Sequence, residues 1–181
     1  MGLLDGVMKK LQRATKPPAE PRPAWGGRDP DKAAYGKAGA PSPDMDSLVT
    51  DAEIQAVTGA RPAGEPRRNG PEGSDTDLGR HIIRESKLSN GDTFLISLGN
   101  CSSASAAQLS MDRVAEYEKA LAGVGERALT RVKKYPKNGS SEISVTALQR
   151  NFTVSLCHTS TTGQTDLAPL IELAKTVLTR L

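Results

Sequence analysis

Two cysteines and two histidines are the residues best suited to chemistry in this sequence: Cys101, Cys157, His81 and His158. Cys101 stands in Asn100-Cys101-Ser102-Ser103, just ahead of a helical pattern. A helix N-terminus lowers a thiol's pKa and can activate it as a nucleophile. A nucleophile also needs a base, and only the two histidines offer one. Cys157 and His158 are neighbours on one strand pattern, so their side chains point to opposite faces. A Cys101–His158 pair would have to form across the sheet; without it, Cys101 reads as a small buried residue beside a Ser/Asn cap. A metal needs three or four ligands in reach, and these four residues are scattered, so no metal and no cofactor are expected. The Ser/Thr-rich CHTSTTGQTD (157–166) carries Gly163 and leads into a helix, as anion sites do. It holds no Lys and no P-loop spacing, and reads as a polar strand-to-helix connection. A Gly-rich dinucleotide fingerprint, paired catalytic carboxylates and a Ser nucleophile elbow are all missing. No catalytic residue is assigned, and the reading leans away from an enzyme.

The other stretch with a chemical character is the opening, MGLLDGVMKKLQRATKPPAEP. A secretory signal places positive charge before an apolar block; here Leu3 and Leu4 come first, Asp5 and Gly6 interrupt, and Lys9 and Lys10 follow. Met1-Gly2 fits the start of an acylation signal, but Gly6 stands where Ser or Thr is wanted. Helical periodicity fits better. At about 100° per residue, Leu3, Leu4, Val7, Met8 and Leu11 share one face, with Lys9, Arg13 and, at the edge, Lys10 opposite. A helix this short gains order by laying its apolar face on something: its own domain, a partner's groove or an anionic membrane surface. The apolar face carries no aromatic, which favours a protein partner over the membrane.

Of 24 Lys/Arg and 21 Asp/Glu, eight basic and five acidic residues fall in 1–45, so the whole net charge of +3 belongs to the leader. The remainder is balanced, which argues against a nucleic-acid-binding face. The chain has two Phe, three Tyr and one Trp, too few to stack on single strands. Two cysteines make no disulfide framework, and no apolar run is long enough to span a bilayer. These features point to the cytoplasm, with a peripheral membrane position as the variant.

Residues 17–45 are rich in Pro, Gly and Ala without periodicity, and read as a disordered linker; Trp25 lies within it. The folded domain is expected over 46–181. Thr50-Asp51-Ala52-Glu53 fits a capping box, Ile54 and Val57 give the helix its apolar side, and Gly59 closes it. Residues 61–77 read as a long polar loop holding Arg67 and Arg68. His81–Ser86 and Thr93–Leu98 form a hairpin around Asn90-Gly91. A helix is expected from about Ser103 to Ala122, with Met111, Val114, Tyr117 and Leu121 buried. Three alternating strands follow, Ala128–Lys134 and then those around Ile143, Val145 and Ala147 and around Phe152, Val154 and Leu156, each with one dry and one wet face. A closing helix, capped by Asp166, carries a stripe of Leu167, Leu170, Ile171, Ala174, Val177, Leu178 and Leu181. The order αββαβββα gives an α+β fold with an antiparallel sheet of about five or six strands.

TDAEIQAVTGA, GVGERA before strands, NFTVSL and the closing DLAPLIELAKTVLTRL resemble actinobacterial lipoprotein domains of the DUF3558 and LpqN-like type, related to the sensor-domain and Mog1/PsbP-like α/β/α group. The resemblance covers roughly 46–181 and implies a binding or scaffold role with no catalytic residues. This chain departs from the pattern in showing neither a signal peptide nor a lipidated cysteine. Taken together, the sequence suggests a binding or adaptor module tethered through residues 1–16. The alternatives are a small-ligand-binding or enzymatic domain using a cleft near the 61–77 loop, and a protein exported without a signal peptide.

Overall fold

The helix starts are set by local hydrogen bonding. A computed structural model describes residues 43–69, 74–76 and 78–181; the expected helix of residues 1–16 and the linker lie outside them. Asp44 caps a single turn, α1 (Met45–Leu48), by accepting from the Ser47 N–H. Thr50 caps α2 (Asp51–Thr58) in a full capping box with Glu53, and Gly59 ends it in the left-handed region at φ 75°. A box of this kind satisfies two orphan donors at once.

Among the described residues, eight strands build one antiparallel sheet. They are β1 (Arg67–Arg68), β2 (Ser74–Thr76), β3 (Gly79–Lys87), β4 (Thr93–Cys101), β5 (Lys119–Leu121), β6 (Arg127–Tyr135), β7 (Ser140–Gln149) and β8 (Phe152–Ser160). The path across the sheet is β1-β3-β4-β8-β7-β6-β5, with β2 also on β3. Helix α3 (Ala104–Ala115) follows β4, and α4 (Ala168–Leu178) closes the chain. The fold is therefore α+β, and the five long strands are the expected hairpin pair and three alternating strands, to which the short β1, β2 and β5 are added.

Three local expectations are corrected. The region 61–77 is not plain loop: it contributes β1 and β2 to the sheet, and Arg68 forms a two-pronged ion pair with Asp46 at 2.7 Å. The helix from Ser103 stops at Ala115, and Lys119–Leu121 pair with β6 as a strand. Tyr117, expected inside, is 69% exposed. The apolar spacing of Met111, Val114, Tyr117 and Leu121 suits a helix, but edge pairing with β6 wins past Glu116. The closing helix starts one residue later than expected: Leu167 holds the cap position, while Asp166 still accepts from the Ala168 N–H at 2.9 Å.

One face of the sheet carries the main core. Successive residues of a strand point to opposite faces, and the register assigns rows. Ile82, Leu98, Val154 and Ala147 stand side by side, as do Arg84, Ile96, Leu156 and Val145, and then Ser86, Phe94, His158 and Ile143. α2 and α4 cover this face, with Ile54, Leu170, Leu173 and Val177 buried against it. Full burial of such a side chain contributes roughly 1.5–3 kcal/mol. Arg84 is buried here too, and it anchors the first two helices by donating to Val49 O at 2.6 Å and Asp51 Oδ1 at 2.5 Å.

Candidate functional site: the outer face of the sheet

The opposite face is built from different residues. Its rows are His81, Gly99, Thr153 and Leu148; then Ile83, Ser97, Ser155, Thr146 and Leu129; then Glu85, Leu95, Cys157, Ser144 and Arg131. On the three central strands every one of these positions except Leu95 and Leu148 is Gly, Ser, Thr or Cys. Small side chains leave a trough down the middle of the face.

Helix α3 roofs only one end of it. Ala106, Ala107 and Met111 pack on Leu78, Cys101 and Leu129 in a second, smaller apolar cluster. Ser103 caps the helix by accepting from the Ala106 N–H. Beyond the roof lies a cleft of about 560 Å³, floored by Ser97, Gly99, Thr146, Thr153 and Ser155. Thr76 enters from β2, Leu78 from the turn before β3, Ser110 and Val114 from α3, and Glu118 from the turn after it. Gly99 is small for reasons of space: a Cβ there would sit 2.4 Å from Thr153 Oγ1.

The floor's hydroxyls are partly paired among themselves. His81 Nε2 and Ser97 Oγ share a hydrogen bond of 2.5 Å. Thr146 Oγ1 donates to Ser155 Oγ at 3.2 Å. Burial pushes the His81 pKa down, which favours the neutral ring at neutral pH. A nucleophile next to a base invites a catalytic reading, but Ser97 lies mid-strand between β3 and β8. The amides around it are committed to those ladders, so none is left to face an oxyanion.

A charged group stands at the β6 side. Arg131 forms an ion pair with Glu142, and Glu142 also accepts from the Tyr135 hydroxyl at 3.3 Å. The Glu118 carboxyl lies beside them. Burial pushes its pKa up, against the pull of Arg131. Glu118 Oε2, Arg131 Nε and Ser144 Oγ are buried without hydrogen-bond partners.

The residues singled out for chemistry do not converge. Cys101 belongs to the outer-face cluster and is 2% exposed, while His158 belongs to the core face; the sheet separates them. Burial raises the Cys101 pKa, and pushes Cys157 up to about 11, so neither thiol is activated. His158 is instead tied to buried Asp92 at 3.1 Å. Asp92 Oδ1 accepts from the Thr161 N–H at 2.7 Å and its hydroxyl at 2.8 Å. That carboxylate thus takes up both donors of Thr161 in the Ser/Thr-rich 157–166 stretch. Among the described residues no group of three or more His, Cys, Asp or Glu is placed to hold a metal ion. Nor is any helix among them long and apolar enough to cross a membrane. Leu3, Leu4, Val7, Met8, Lys9, Lys10, Leu11 and Arg13 lie outside the described residues.

Sequence reasoning took the wet faces of the strands for plain surface and so missed the floor residues. The signal was the type of wet residue: Ser, Gly, Thr and Cys between the Ile, Leu and Val of ISLGNC, TVSLC and ISVTA, with no long charged side chain until Glu142. Neither a family model nor a curated protein matches the chain. Among solved structures, the extracellular domain of PknH from Mycobacterium tuberculosis is similar over 78% of this chain and 97% of that one, at 13% identity and a TM-score of 0.50, a likeness of fold alone.

Proposed function

We propose that this domain binds a small organic ligand in the cleft between α3 and the outer face of the sheet, holding it without chemical change. The observation that supports this reading is the row of small residues, Ser97, Gly99, Thr146, Thr153 and Ser155, under a half roof. A sheet face meant only for solvent has no need of such a trough, and longer side chains would cover it more cheaply in exposed apolar area. The cleft volume of about 560 Å³ falls within the range of sites for small ligands.

Ser155→Trp sets a large ring in the middle of the floor and tests the reading. A small-molecule library is screened by thermal shift on the full chain and on this variant. Hits that stabilise the parent and lose their effect in the variant support the cleft. Hits that act equally on both, or a complete absence of hits, count against it.

Two further parts of the reading rest on the sequence pattern. Residues 1–16 act as the tether to a larger assembly, and deletion of 1–16 removes co-purifying partners if this is so. The cytoplasm is the compartment, in keeping with two free cysteines and their preference for a reducing setting. The solved neighbour is an extracellular domain, so recovery of the protein from the culture medium on fractionation would reverse this assignment.

A further inference from the structure

We infer that the cleft's ligand is an amphipathic organic anion: an aliphatic chain on the β3–β4 side ending in a carboxylate or similar acid at Arg131. This rests on the cleft being a binding site, and it names what the site selects.

The chain end follows from the kind of apolar surface present. Ile83 and Leu95 form the wall on the β3–β4 side, joined by Leu78 ahead of β3 and by Val114 on α3. None of the described residues lining the cleft is Phe, Tyr or Trp. A base or a sugar ring gains most of its apolar contact from an aromatic face. A flexible methylene chain needs only aliphatic surface, which Ile83, Leu95, Leu78 and Val114 supply.

The middle of the floor is compatible with such a chain. Ser97 is engaged by His81, and Ser155 by Thr146, so much of the hydroxyl polarity is met within the protein. Gly99 adds no side chain to the floor. From β4 across β8 and β7 to β6 is three strand spacings, about 4.8 Å each, so wall and charged group lie roughly 14 Å apart.

The head end follows from charge. Among the described residues, Arg80, Arg113 and Arg131 line the cleft against one acid, Glu118. Arg131 keeps 38% of its side chain exposed despite its bond to Glu142. Burial disfavours ionised Glu118, which weakens its repulsion of an incoming carboxylate, and the Glu142 carboxylate beside Arg131 is already held in its ion pair. A cationic or neutral head of the same chain length gains nothing from Arg131.

The test uses the full chain labelled with ¹⁵N, titrated with decanoate, decylammonium and decanol below their micellar concentrations, with affinities from calorimetry. The expected result is decanoate binding at least tenfold tighter than decylammonium, with amide shifts centred on Leu95, Ser97 and Ser155. Arg131→Gln lowers the decanoate affinity about tenfold; Arg113→Gln, on the exposed side of α3, serves as a second variant if Arg131→Gln misfolds. Binding of decylammonium or decanol as tightly as decanoate, or decanoate affinity unchanged in both arginine variants, overturns the anion assignment. In that case any binding still lost in Ser155→Trp leaves the cleft itself standing. Shifts confined to other surfaces, or no binding by any of the three probes, overturn the assignment, and binding indifferent to Ser155→Trp removes the cleft as well.

Discussion

Arg180 and Glu53 are 127 residues apart in sequence and joined by two hydrogen bonds in the fold, Nη2 to Oε1 at 2.6 Å and Nη1 to Oε2 at 3.0 Å. Arg180 Nη1 also donates to Leu48 O at 2.7 Å. The end of α4 is thus fastened to α1 and to the capping box of α2, over the same core face.

Arg180→Gln should lower stability by about 1 kcal/mol at pH 7, the upper range for partly exposed pairs, measured by urea unfolding. The bond to Arg180 is the main reason the Glu53 pKa falls to about 2. A depressed acid contributes stability above its unfolded pKa and loses it as pH falls through the folded one. The gap between parent and variant should be constant above about pH 5 and shrink between pH 4.5 and 2. A gap that does not change over that range would show that the pair contributes nothing.

Asp92→Ala should be far more costly, about 3 kcal/mol, because His158 and Thr161 lose a buried acceptor together. Asp92 is 2% exposed and His158 1%, so water cannot replace the carboxylate without opening the core. The same denaturation experiment reads it. A loss under 1 kcal/mol would mean that the network is not coupled to folding.

Glu118→Gln should raise the melting temperature at pH 7. Burial raises this carboxyl's pKa in the fold, so its contribution is full below about pH 4.5 and falls as pH climbs through the raised folded value. Glutamine removes that penalty, and the advantage of the variant should vanish near pH 4. A lower melting temperature at pH 7 would mean that the carboxylate's attraction to Arg131 outweighs its desolvation.

Both thiols should resist a disulfide reagent in the native protein. Cys101 is buried and Cys157 half-buried, and both pKa values are pushed up by burial first of all. Reaction at pH 8 should be at least tenfold slower than in guanidinium, where thiolate and access are both restored. Fast reaction of one equivalent would identify an opening motion at that residue.

How much of this was legible beforehand depended on whether a residue's role was local. Thr50, Glu53 and Gly59 announced α2 because a cap is decided within one turn. The Leu170–Val177 stripe announced α4 because its period is visible in one dimension. Tyr117 and Leu121 misled, since only the neighbouring β6 can convert a helical spacing into an edge strand. The cleft was hidden for a stronger reason. Its floor joins Ser97, Ser155 and Thr146 from three strands, and no periodicity says which wet faces end up adjacent under a roof. Likewise Arg84 read as an ordinary strand residue, although it is buried and holds two helices.

The pleat that separates the two sides of the sheet has an evolutionary corollary. Ser97 flanks Ile96 and Leu98, and Ser155 flanks Val154 and Leu156, so residues that would choose a guest and residues that keep the chain folded alternate along the same strands without overlapping. Descendants of this protein could therefore exchange one guest for another by single replacements at Ser97 and Ser155, leaving the main hydrophobic core unaltered.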